Sequence, residues 1–150
     1  MSTSLIATLM LVSSGVFTGV LCAFAVERIW IWDQLELRDY AIDFRRSMRR
    51  ADILQPALLI LTIVLAVVYA TRVENSARTE TIVALGCLFA ILGASTIILV
   101  PLQKRFRNRT EGDVPPDAEA IRRKWRVGHL VRTALGMSAF ALLVHAVVYV

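Results

Sequence analysis

Apolar positions fall into four long runs separated by segments dense in charge, and this alternation predicts the elements. No side chain from the N-terminus to Val26 is charged. About 20 apolar residues cross roughly 30 Å of hydrocarbon, so a first membrane span is predicted over about residues 5–26. Within it Gly15, Gly19 and Ala23 recur every four residues, a stripe that lets another helix approach closely. A second uncharged run, 53–71, opens on Gln55-Pro56, with Pro56 expected in the first helical turn, where its missing amide costs nothing. Two further spans are predicted over about 81–102 and 128–149.

The segments between the runs differ from one another. Glu27 to Asp52 carries charges of both signs, with no Gly or Pro before Gln55, so it reads as helix rather than loop. Trp30 and Trp32 are expected at the membrane surface, where amphipathic rings favour the headgroup level. Arg45, Arg46, Arg49 and Arg50 would face headgroups or solvent. Arg72 to Glu80 is short. After Pro101-Leu102-Gln103 come Lys104, Arg105, Arg107 and Arg109, a turn-rich piece, and a helix start at Asp117 that continues through Arg122, Arg123, Lys124 and Arg126 into the fourth run. The fold class is therefore all-α, an integral membrane four-helix bundle with helical cytoplasmic extensions, in one domain spanning 1–150.

The first and third connections hold 14 of the 17 Lys and Arg residues, and four spans put both on one side. Those connections are expected in the cytoplasm and both termini outside, in a bacterial inner membrane. A hydrophobic content of 57% exceeds the roughly 45–50% of soluble domains. The net charge of +5 raises nucleic acid as a partner, but its concentration between apolar runs argues for membrane topology instead, so no nucleic acid is expected. Nothing resembles a phosphate-binding loop, a dinucleotide fingerprint, a nucleophile elbow or a metalloprotease motif.

Candidate chemistry gathers where the second basic cluster enters the fourth run. Trp125, His129 and Arg132 stand at i, i+4 and i+7, on one helical face. Ionisable groups at membrane depth are costly and usually pair or line a wet cavity. Glu27, Asp52, Gln55 and Gln103 are predicted at the same depth. Arg132 could also snorkel, or neutralise Glu27 or Asp52, and Trp125 could be an interfacial anchor. His145 lies about 24 Å from His129 along the helix, too far to share a metal, and is expected as a neutral imidazole bonded to a neighbouring helix. Cys22 and Cys87 differ in depth by roughly 15 Å, which argues against a disulfide; no metal site is expected.

Three stretches carry a family resemblance: Gly15-Val16-Phe17-Thr18-Gly19, Pro101-Leu102-Gln103, and Trp125-x3-His129-x2-Arg132 followed by Thr133-Ala134-Leu135 and Ala139-Phe140-Ala141. Together they resemble the DUF1772 family of small four-span membrane proteins, which includes the anthrone oxygenase-like proteins. Gln103 stands where that family often has Asn, and the first connection is unusually rich in charge. The resemblance implies a four-helix membrane bundle and, in some members, oxidation of an anthrone to an anthraquinone with no established cofactor; the cofactor here is unknown. By position it marks Trp125, His129 and Arg132.

Two functions follow as expectations. In one, a flat aromatic substrate enters from the bilayer, His129 removes a proton, Arg132 stabilises the oxyanion, and Trp125 stacks, with Glu27, Asp52, Gln55 and Gln103 as further binding residues. In the other, the bundle is a non-enzymatic subunit or a module binding small molecules or lipid, with a homo-oligomer or a partner membrane subunit as its company and a basic face for anionic lipid. A transporter is a weaker third option, since four spans without a repeat leave little room for alternating access.

Overall fold

A computed structural model describes residues 2–110 and 112–149, with the side chains of Arg50, Ala51 and Asp52 outside the described part. The expectations placed on Asp52 and Arg50 therefore lie outside the described residues. The described chain forms four long helices and no strand. These are α1 (Thr3–Gln34), α2 (Leu37–Ala70), α3 (Asn75–Arg107) and α4 (Ala118–Val148). Each is long and apolar enough to cross a membrane, α2 through its part Ile53–Ala70. Large aliphatic side chains such as Val12, Val16, Ile60, Val64, Ile98 and Val131 stand exposed along the outer faces. Hydrocarbon around the bundle accounts for that exposure, since helices satisfy their own backbone groups in lipid.

The helices pack in a ring, α1 on α2, α2 on α3, α3 on α4 and α4 back on α1, with little contact across the diagonal from α2 to α4. Two cores result. One lies at the level of the spans and is built from aliphatic and small residues: Ile6, Met10, Phe17 and Leu21 meet Leu59, Ile63 and Ala66, Leu88 and Ile91, and Ala139 and Leu143. Side-chain hydrogen bonds tie its helices together, Thr18 Oγ1 to the Gly136 carbonyl at 3.3 Å and Thr62 Oγ1 to Ser13 Oγ at 3.1 Å. The second core joins the charged ends of all four helices through Trp32, Tyr40, Phe44, Phe106, Ile121 and Trp125. The first and third connections thus meet at one end of the bundle.

The helices differ from the sequence expectations at four places. The residues after Val26 form no separate connection: α1 runs on to Gln34, and only Leu35 and Glu36 separate it from α2. Pro56 lies inside the 34-residue α2 rather than in a first turn, because the charged segment before it is already helical. Trp30 is 70% exposed but Trp32 only 2%. Residues two apart on a helix point to opposite sides, so only one of the pair reaches the surface. Asp117 precedes α4 without capping it through its side chain, and its carboxylate instead meets Arg105 at 2.9 Å.

Two turns depart from α geometry, each just where a span meets the charged end. Phe24–Arg28 in α1 and Ser95–Leu99 in α3 are π-helical. Turns of this kind are rare and concentrate at functional sites. The second faces Gly128, where an added Cβ would stand 2.7 Å from Leu99 Cδ2, so α4 approaches this turn as closely as glycine allows.

Candidate functional site: a buried arginine between two cavities

The face of α4 picked out by its spacing turns wholly inward, and Trp125, His129 and Arg132 are all buried. Their surroundings are not alike. The Trp125 and His129 rings stack nearly parallel, 4.9 Å apart with a 10° tilt, and Phe24 closes over the imidazole at 6.0 Å. His129 Nε2 lies 3.1 Å from the Leu21 carbonyl oxygen. A carbonyl only accepts, so Nε2 carries the proton and Nδ1 keeps its lone pair. That Nδ1 is buried with no partner, as is Trp125 Nε1. His129 lines none of the described cavities, and Trp125 borders only a crevice of about 10 Å³ beside Arg122 and Arg126.

Arg132, one turn on, has a different setting. Its Nη2 donates to Gln55 Oε1 on α2, its Nη1 donates to Ser95 Oγ in the π-turn of α3 at 3.4 Å, and its Nε is buried without a partner. No described carboxylate pairs with it, so neither neutralisation by Glu27 nor snorkelling to the surface describes its position: it is 8% exposed. A guanidinium held at this depth by neutral partners is an incompletely compensated charge, and such charges are retained where something else supplies the compensation.

Arg132 lines one cavity, and its partner Gln55 also lines a second. One, about 100 Å³, lies between α2 and α3 within their apolar runs, the level at which hydrocarbon surrounds the bundle. Phe17, Leu59, Ile91 and Leu99 give it apolar walls, while Gln55, Ser95, Gln103 and Arg132 give it a polar floor. The other, about 560 Å³, opens at the charged end. Glu27, Arg28, Asp43 and Ser47 line it opposite an apolar wall of Val20, Phe24 and Leu54. Asp43 is occupied there, accepting from Trp32 Nε1 at 2.6 Å and lying 3.4 Å from Arg28. Gln55 is the residue common to both linings.

The sequence-predicted site residues therefore divide into groups. Gln55, Gln103 and Arg132 surround the cavity between α2 and α3, with Gln103 also donating to Met48 Sδ at 3.2 Å. Glu27 borders the charged-end cavity with Gln55. Trp125 and His129 sit behind both. Ser95 and Phe24 join the site unforeseen: a serine beside Gly93 and Ala94 suits close helix packing just as well, and Phe24 carried no signal beyond its apolarity. The Leu21 carbonyl, as a backbone group, could not be read from side chains.

His145 is far from this site, with Nδ1 2.8 Å from Glu80 Oε2 on α3. The bond to a neighbouring helix appears, though its acceptor is a carboxylate. Cys22 and Cys87 are free thiols. Among the described residues no three His, Cys, Asp or Glu side chains gather to hold a metal.

No curated protein and no solved structure matches the chain significantly. The sequence profile of one family, described as anthrone oxygenase, matches residues 44–142, about two thirds of the length. That stretch runs from within α2 to within α4 and holds Gln55, Ser95, Gln103, Trp125, His129 and Arg132. With its four apolar helices and this match, the chain belongs to the anthrone oxygenase family of membrane proteins.

Proposed function

We propose that the protein is an oxygenase that takes a hydrophobic, anthrone-like aromatic from the bilayer and oxidises its activated CH2 to a carbonyl. The observation that carries this reading is Arg132: a buried guanidinium with an unpartnered Nε, held by neutral groups on the floor of an apolar cavity at the level of the spans. Charge developing on a substrate oxygen there would meet fixed donors in a dry site, where such interactions are strongest. The family match supports it from a second direction.

The reaction balances as anthrone plus dioxygen giving anthraquinone plus water. A base removes one CH2 proton, and the electron pair delocalises to the carbonyl oxygen beside Arg132. The carbanion combines with dioxygen to form a C–O bond, the resulting hydroperoxide loses its O–O bond and the second C–H proton, and water leaves as the new carbonyl forms. His129 Nδ1 is the base in this reading, since Nε2 is committed to Leu21. Neither cavity reaches it at rest, so it acts only once the wall around Phe24 has moved; Arg132 needs no such movement. The basic first and third connections lie on the cytoplasmic side of a bacterial inner membrane in this arrangement.

The enclosure of His129 favours a second reading, a module that binds an aromatic without turning it over. One assay separates the two. Purified protein in lipid nanodiscs, given anthrone and dioxygen, should form anthraquinone with matching oxygen uptake. Arg132→Ala should lose about 10²–10³-fold, the usual loss for one oxyanion donor, while remaining folded. Saturable anthrone binding without oxygen uptake would select the binding module, and full turnover by Arg132→Ala would remove Arg132 from the mechanism.

A further inference from the structure

Gln55 stands in an unusual position: it lines the apolar cavity at the level of the spans and the charged cavity that opens to water, and its Oε1 is taken by Arg132. It is 9% exposed, although it lies between two open spaces. The two cavities are otherwise lined by separate residues, chiefly from α2 and α3 with Phe17 of α1 and Arg132 of α4 on one side, and from α1 and α2 on the other. A single carboxamide, its oxygen held by a charge-assisted hydrogen bond from Arg132, stands where they meet.

We propose that Gln55 is the partition of one continuous site, latched by Arg132, and that a ligand bearing an oxyanion unlatches it. An anionic oxygen is a stronger acceptor for a guanidinium than a neutral amide oxygen. When such a group on an aromatic ligand arrives through lipid and takes Arg132, the Gln55 side chain is released. The bilayer-facing half then joins the water-facing half, where Glu27, Arg28 and Ser47 offer both donors and acceptors to a carboxamide turned toward them. Gln55 is thereby a positioning residue. It aims the guanidinium and keeps bulk water from the cavity floor until the ligand is seated, and it then opens a path by which a more polar product or water leaves at the charged end. The proposal rests on the oxygenase reading only for the identity of what passes.

Thiol accessibility tests the partition without any turnover. Ser95→Cys, placed in a Cys22→Ala, Cys87→Ala background, puts a reporter beside Arg132 on the cavity floor, and Ser47→Cys puts a control in the water-facing cavity. Both are treated in nanodiscs with sulfonatoethyl methanethiosulfonate, an anion that does not enter lipid. The Ser47→Cys control should label quickly in every background. The Ser95→Cys reporter should label slowly when Gln55 is intact and roughly tenfold faster or more with Gln55→Ala, the change expected when one charge-assisted hydrogen bond no longer holds a group in place. Gln55→Leu keeps the bulk but offers Arg132 no acceptor, so it should also label fast and guards against misfolding of the smaller variant. Gln55→Glu, which keeps an oxygen for Arg132, should restore slow labelling. Equal Ser95→Cys rates with Gln55 intact and with both Gln55→Ala and Gln55→Leu would overturn the partition. Fast labelling with Gln55→Glu would overturn the latch. Loss of anthrone turnover with this labelling pattern intact would count against the oxygenase reading alone.

Discussion

The two cores of this bundle are built on different chemistry. At the level of the spans, side chains are mostly aliphatic or small, and hydrogen bonds between helices run from Thr and Tyr hydroxyls to nearby oxygens, Ser13 Oγ among them. At the charged end, five aromatic rings from all four helices meet mostly edge to face, ringed by Arg122, Arg126, Asp33 and Asp43. Lipid gives apolar side chains no reason to leave it, so helices there associate through close packing. Water does drive large rings together, and the charged end exploits that force. The candidate face of α4 crosses the boundary, with Trp125 in the aromatic core, His129 at the junction and Arg132 among the spans.

The largest test of this division removes a ring. Trp125→Ala should cost about 3–5 kcal/mol, the usual penalty for truncating a buried Trp. Followed by circular dichroism on heating in nanodiscs, the charged end should melt first while most span helicity persists. One unchanged cooperative transition would mean that the two cores are not separate.

A medium effect is expected in alkali. Burial raises the pKa of the Tyr40 phenol above its ordinary value, outweighing the opposite pull of Arg122, whose guanidinium lies 5.5 Å from the ring centre. Because the folded state favours the neutral phenol, its contribution is intact below the unfolded pKa of about 10 and is lost as pH rises beyond it, at up to about 1.4 kcal/mol per pH unit. The Tyr40 hydroxyl has no hydrogen-bond partner, so Tyr40→Phe should leave stability near neutral pH unchanged or higher and flatten the alkaline loss. Equal alkaline slopes in the two proteins would contradict this.

The smallest effect concerns the rim. Arg126 and Asp33 lie 2.5 Å apart but are partly exposed. Arg126→Ala should shift the charged-end melting by about 0.5 kcal/mol or less, and less still at high salt. A loss rivalling that of Trp125→Ala would mean charge, rather than aromatic packing, holds this end together.

The spans were readable because hydrocarbon imposes a length and a composition, and the inward face of α4 because helical spacing is regular. The partners of that face were not. A carboxylate is the obvious neighbour for an intramembrane arginine, yet Arg132 meets Gln55 and Ser95, a pairing fixed by how α2 and α3 pack. His129 is held by a backbone carbonyl, which no side-chain pattern encodes. Trp32 failed as a surface marker because an indole suits a headgroup layer and an aromatic core equally well, and only the rotation of α1 distinguishes them.

That rotation is set by the π-turn at Phe24–Arg28, and the π-turn at Ser95–Leu99 does the same for α3. Accommodating one extra residue in a turn swings everything beyond it by about 100°. The stripe that α1 or α3 presents to its neighbours in lipid and the stripe it presents in the aromatic core are thus out of phase, and the π-turn supplies the correction. Deleting one residue inside either turn would leave composition and span length almost untouched, yet point the rings of that helix away from their partners. At these two places the fold depends on a count of residues more than on their kind.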